Sequence, residues 1–99
     1  MAKTSINKVK RIASVAYSAV RQYGRTLKED TLPAWTGVTP EDREKWIAAT
    51  QEVMEYEVTA RSQETDDVLS VKLFGENTGG ITTKFLLFYS VVDSLNKNS

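Results

Sequence analysis

The chain of 99 residues is 40% hydrophobic and 26% charged, has a formal net charge of zero, and contains neither Cys nor His. That length holds one domain with a modest core, and the missing residue types exclude disulfides, thiolate zinc sites, iron–sulfur clusters and catalysis by cysteine or histidine. No apolar run approaches the roughly 18 residues that span a bilayer, and the basic start Met1–Arg11 leads into a pattern too polar for a signal peptide, so a soluble cytoplasmic protein is expected.

Charge is segregated along the chain. Residues 1–28 carry seven basic side chains and no acid, residues 29–67 carry eleven acids against three bases, and residues 68–99 carry three lysines against two acids. Either a basic helix packs beside an acidic one, or a positive face meets phosphates.

Ile6, Val9, Ile12, Ala13, Ala16, Val20 and Tyr23 recur at helical spacing and predict an amphipathic helix over 6–23. Ser5 suits its cap, and Gly24 suits the left-handed residue that closes it. Lys8, Lys10, Arg11 and Arg21 fall on the opposite side. Residues 25–38, with Pro33, Trp35 and Gly37, read as a connection from which Trp35 folds back as a lid over a helix pair. Thr39-Pro40-Glu41-Asp42 then starts a second helix, with a capping hydroxyl, proline at the first helical position and two acids in the first turn. This helix should run to about Ala60, with Trp46, Ile47, Thr50, Val53, Met54 and Val58 facing the first and Glu44, Glu52 and Glu55 in solvent.

Arg61–Asp67 reads as a polar linker. For Val68–Phe74 a short strand and a helical turn fit equally well. Residues 75–80 are turn chemistry, after which Ile81, Phe85, Phe88, Val91, Val92 and Leu95 predict a third and most buried helix. The expected fold is mainly α, a single small three-helix domain over 1–99, with a loop carrying Trp35 and a short strand or extra turn around 68–74.

The glycine segment before the last helix has the Gly75 to Gly80 separation of a phosphate loop, but Ile81-Thr82 stands where Lys-Ser/Thr is required. What remains is either a plain glycine turn or an anion cradle from the Gly79 and Gly80 N–H groups, with Thr82, Thr83 and Lys84 as further donors. Basic residues on the first helix interleave with Tyr17 and Tyr23, but a pI near 6.3 argues against duplex nucleic acid. Trp35 and Trp46 suit either a pocket or a core. Glu41, Asp42 and Glu44 spread around their helix instead of converging on a metal. No pair of side chains has a spacing that singles it out for acid–base work, so a non-catalytic protein without metal or cofactor is expected.

Three stretches carry a family resemblance. The first helix holds Ile12, Ala13, Val15, Arg21 and Tyr23. A Pro-to-Trp loop and an Arg-Glu-x-x-Ile helix follow as Pro33, Trp35, Arg43, Glu44 and Ile47, and the last helix holds Lys84, Leu87, Phe88, Val91, Val92 and Leu95. Together they resemble small bacteriophage and prophage proteins related to the ryanodine-receptor repeat (RyR) domain, over about half of the chain. The Trp-x-Tyr-Gly and His-Pro centre of that repeat is absent, residues 59–83 replace it, and Tyr17 stands where the family's first helix has His. A ligand site built from that centre is therefore not carried over. The resemblance implies a helical fold, a viral origin and a link to nucleotide-derived immune signals.

The expected function is a phage accessory protein that binds and sequesters a phosphate-bearing nucleotide in the host cytoplasm. Arg21 and Lys84 would meet phosphates, Tyr17, Trp35 or Trp46 would stack on a base, and Gly79, Gly80, Thr82 and Thr83 would add donors. The alternative is a module that docks on and inhibits a host or phage protein through its acidic helix or an apolar dimer face. A homo-oligomer is expected, because a bundle of this size has little room for an enclosed pocket.

Overall fold

Helix α1 (Ile6–Thr26) buries Val9, Ile12, Ala13, Ala16, Tyr17, Val20 and Gly24. The computed structural model describes residues 6–28, 32–57, 62–75 and 79–98; the side chains of 57, 63 and 79–82 lie outside that description, as do Ser5 and Val58. The buried stripe differs from the expected one at its start and in its middle. Ile6 is 52% exposed, and Tyr17 is in the core. Gly24 does not end the helix, which runs on to Thr26, and the left-handed residue beyond it is Lys28 at φ 58°.

A short 3-10 turn, Trp35–Gly37, leads into α2 (Pro40–Met54). Thr39 caps α2 as its sequence predicts, the hydroxyl accepting from the Asp42 N–H at 3.3 Å. The helix stops earlier than expected, passing at Glu55–Glu57 into a second 3-10 turn. Trp46, Ala49, Thr50, Val53 and Met54 form its buried face, and the Thr50 hydroxyl satisfies itself by donating to the Trp46 carbonyl at 2.8 Å.

The segment left open between strand and turn is helical, and the described part of the expected linker belongs to the same element. Helix α3 (Gln63–Phe74) opens on a reciprocal cap, in which Ser62 Oγ accepts from the Thr65 N–H and Thr65 Oγ1 accepts from the Ser62 N–H. Gly75 at φ 85° closes it, its N–H returning to the Val71 carbonyl at 2.8 Å. Helix α4 (Gly79–Lys97) begins two residues before the expected start, so Gly79 and Gly80 are its first turn rather than part of a loop. The architecture is thus mainly α, with four helices instead of three among the described residues.

Helix α4 packs against each of the other three, with Phe85, Phe88 and Val92 buried, as expected of the last helix. At the centre one aromatic ring comes from every helix. The Trp46 indole meets Tyr17 of α1 at 5.0 Å, Phe74 of α3 at 5.6 Å and Phe88 of α4 at 5.5 Å, with interplanar angles of 66–88°. Such edge-to-face pairs each contribute about 0.5–1.5 kcal/mol beyond the area they bury. Trp46 is therefore the hinge of the core and not a pocket wall.

Candidate functional site

The connection between α1 and α2 is held by side chains that reach its main-chain carbonyls. The Tyr17 hydroxyl donates to the Pro33 carbonyl at 2.6 Å, Arg21 Nε to the Leu32 carbonyl at 2.8 Å, and Arg43 Nη2 to the Thr36 carbonyl at 3.0 Å. Backbone bonds from Gly37 N–H to Ala34 and from Val38 N–H to Trp35 tighten the turn between them. Polar groups of a loop that lies on a core must find partners, and here two helices supply them. Trp35 is placed by this clamp, its ring 5.3 Å from Tyr17 on one side, with the Arg43 guanidinium carbon 5.9 Å from its centroid. The lid expected from the sequence is what the Trp35 turn forms.

Beneath that lid lies an open groove of about 240 Å³, lined by Lys10, Trp35, Pro40, Arg43, Glu44 and Ile47. Pro40, Arg43, Glu44 and Ile47 share one side of α2 through their i, i+3, i+4 and i+7 spacing. Arg43 sets its cationic plane near the indole, an arrangement worth about 0.5–1 kcal/mol at a surface. Its Nε is buried without an acceptor among the described residues, so the guanidinium keeps unused donor capacity. Lys10 is exposed and Glu44 is exposed, and neither forms an ion pair among the described residues.

The same holds for the rest of the basic helix. Lys8, Arg11, Arg25 and Lys28 make no ion pair among the described residues, although α1 packs directly on acidic α2. Within α2 Lys45 pairs with Asp42 at 3.7 Å, and within α4 Lys97 pairs with Asp93 at 3.0 Å. The basic helix does pack beside the acidic one, but among the described residues no ion pair joins the two.

The expected site residues divide into two groups. Tyr17, Arg21 and Trp35 meet at the clamped loop, yet only Trp35 faces the groove. Tyr17 is 1% exposed and cannot stack on a base; burial pushes its phenol above the ordinary tyrosine value, with Arg21 opposing and Asp42 adding to the rise. Arg21 is half-buried and already committed through Nε to a carbonyl, which makes it a support of the loop. Gly79 and Gly80 lie in the first turn of α4 together with Thr82, while Thr83 and Lys84 each engage another group of the chain already. Lys10, Arg43, Glu44 and Ile47 were not expected as a site; the signal that finds them is the shared helical side of Pro40, Arg43, Glu44 and Ile47 directly after a tryptophan loop.

Among the described residues no group of three His, Cys, Asp or Glu side chains converges to hold a metal, and no helix is long and apolar enough to cross a membrane. Comparison with protein-family models, curated proteins and solved structures gave no match.

Proposed function

We propose that the chain is a non-catalytic binding protein that takes a nucleotide in the groove beneath Trp35 and sequesters it. The observation that carries this reading is the Arg43 guanidinium set against the Trp35 indole, with uncommitted Lys10 beside them. A cation pair with an aromatic plane holds a phosphate and a base together. The groove of about 240 Å³ is smaller than the roughly 300–1,000 Å³ of common ligand pockets, so it seats one base and phosphate unit and leaves the remainder of a larger nucleotide in solvent. With the family resemblance, the ligand is a nucleotide-derived signal of host immunity and the chain a phage accessory protein of the host cytoplasm.

Thermal shift against mononucleotides, cyclic dinucleotides and ADP-ribose tests this. A true ligand at a hundredfold excess over Kd adds about 2.7 kcal/mol to stability. Lys10→Ala, Trp35→Ala and Arg43→Ala should each weaken that ligand about tenfold or more by calorimetric titration. A flat panel sinks the reading.

A second reading, docking onto a protein or a second copy of the chain, is favoured by Val68 and Val71 of α3, which are 47% and 49% exposed three residues apart, and by Leu86 of α4 at 48%. Sedimentation at micromolar concentration tests it. A dimer that Val68→Lys and Val71→Lys dissolve supports this reading, and a clean 11.1 kDa monomer removes the homo-oligomer.

A further inference from the structure

We propose that Glu44 makes the groove selective for guanine, an inference that rests on the nucleotide reading above. The groove is not a plain phosphate site. Lys10 and Arg43 bring two positive charges, and Glu44 brings a carboxylate to the same lining, one residue after Arg43 and three before Ile47. In a site for phosphate alone that carboxylate would repel the ligand. It is not consumed by its neighbours either, since Glu44 forms no ion pair among the described residues. A ligand that satisfies the whole lining therefore presents an anion to the cations and N–H donors to the carboxylate.

Trp35 holds any base equally, because every base has a π face. Discrimination must come from the base edge, which a carboxylate reads as an acceptor. Guanine sets two N–H donors side by side, at N1 and the 2-amino group, and these match the two oxygens of one carboxylate. Adenine and cytosine offer one amino group next to a ring-nitrogen lone pair, and uracil offers one N–H between two carbonyls. Each of these brings a repulsive acceptor to Glu44. The two-point, charge-assisted contact is available to guanine alone among them.

Calorimetric titration of the full chain with GMP, IMP and AMP tests the assignment. IMP keeps the N1–H and lacks the 2-amino group. Wild type should bind GMP about tenfold or more tighter than IMP or AMP, the scale of a charge-assisted bond. Glu44→Gln should bring GMP down to the level of AMP, tighten AMP because a negative charge has left the groove, and melt as wild type does. Equal affinity of wild type for GMP and AMP, or a guanine preference that survives in Glu44→Gln, overturns the role of Glu44 while the nucleotide reading stands. Failure of wild type to bind any of the three overturns the role of Glu44, and a thermal-shift panel that is flat as well overturns the nucleotide reading with it.

Discussion

Replacing Tyr17 by Phe removes one oxygen and leaves the ring against Trp35 and Trp46, so it isolates the bond to the Pro33 carbonyl from the packing around it. The bond is short at 2.6 Å and part-buried, and a neutral hydrogen bond of this kind contributes about 0.5–1.5 kcal/mol net. Pro33 is exposed, which lets water compensate its carbonyl and sets the expected loss near 1 kcal/mol, or roughly 4–8 °C in Tm for a domain of this size. The pH dependence identifies the group. Burial raises the phenol of the folded protein above the unfolded value of about 10, so its contribution is complete below that pH and is lost as pH rises through the folded value. The gap in Tm between wild type and Tyr17→Phe should be constant from pH 7 to about 9, then narrow as pH rises further. Scanning calorimetry of both proteins across that range measures it. A neutral-pH gap below about 1 °C, or a gap that stays constant through alkaline pH, would refute the clamp.

Phe88 is fully buried with its ring on Trp46, and Phe88→Ala should cost about 3–5 kcal/mol, against a total stability of about 5–15 kcal/mol; urea melts that keep the wild-type midpoint would place Phe88 outside the core. Gly24 lies inside α1 without a positive φ, and an added Cβ meets nothing within 4 Å, so Gly24→Ala should raise stability by about 0.5–1 kcal/mol, and a lowered melt contradicts the helical assignment there. Ser70 is 3% exposed and its hydroxyl has no partner among the described residues, so Ser70→Ala should stabilise by about 1 kcal/mol, and a loss in denaturant melts would reveal a partner for that oxygen.

Helices with a continuous apolar stripe were legible from periodicity alone, and α1, α2 and α4 fall where the spacing of Ile12, Trp46 and Phe88 with their neighbours puts them. Helix α3 was not, because Val68 and Val71 face outward while Ser70 is buried, which erases the contrast between its faces. Its Ser62 and Thr65 cap was readable, but Thr at the third position in place of Glu or Gln weakens the usual signature. Tyr17 was misplaced for a chemical reason. Its polar end let it pass for a surface residue among lysines, whereas a carbonyl sixteen residues away satisfies that end inside the fold. The groove draws on α1, the Trp35 turn and α2 at once, and no single stretch of sequence displays such a convergence.

The acceptors in the clamp are all main-chain oxygens, at Leu32, Pro33 and Thr36. Every residue type carries that oxygen, so the bonds place almost no demand on which side chains occupy the strap. The demand falls instead on the three donors, none of which has an equal substitute: phenylalanine lacks the hydroxyl at 17, and lysine lacks the planar fork at 21 and 43. Saturation mutagenesis scored by soluble expression should therefore show exposed Pro33, Ala34 and Thr36 to be permissive between two intolerant helix faces, while Leu32 and Val38, which pack on the core, are not. Trp35, packed on Tyr17 and the core, should be constrained in the same screen. Variation at those exposed positions can then accumulate without disturbing the scaffold that frames the groove.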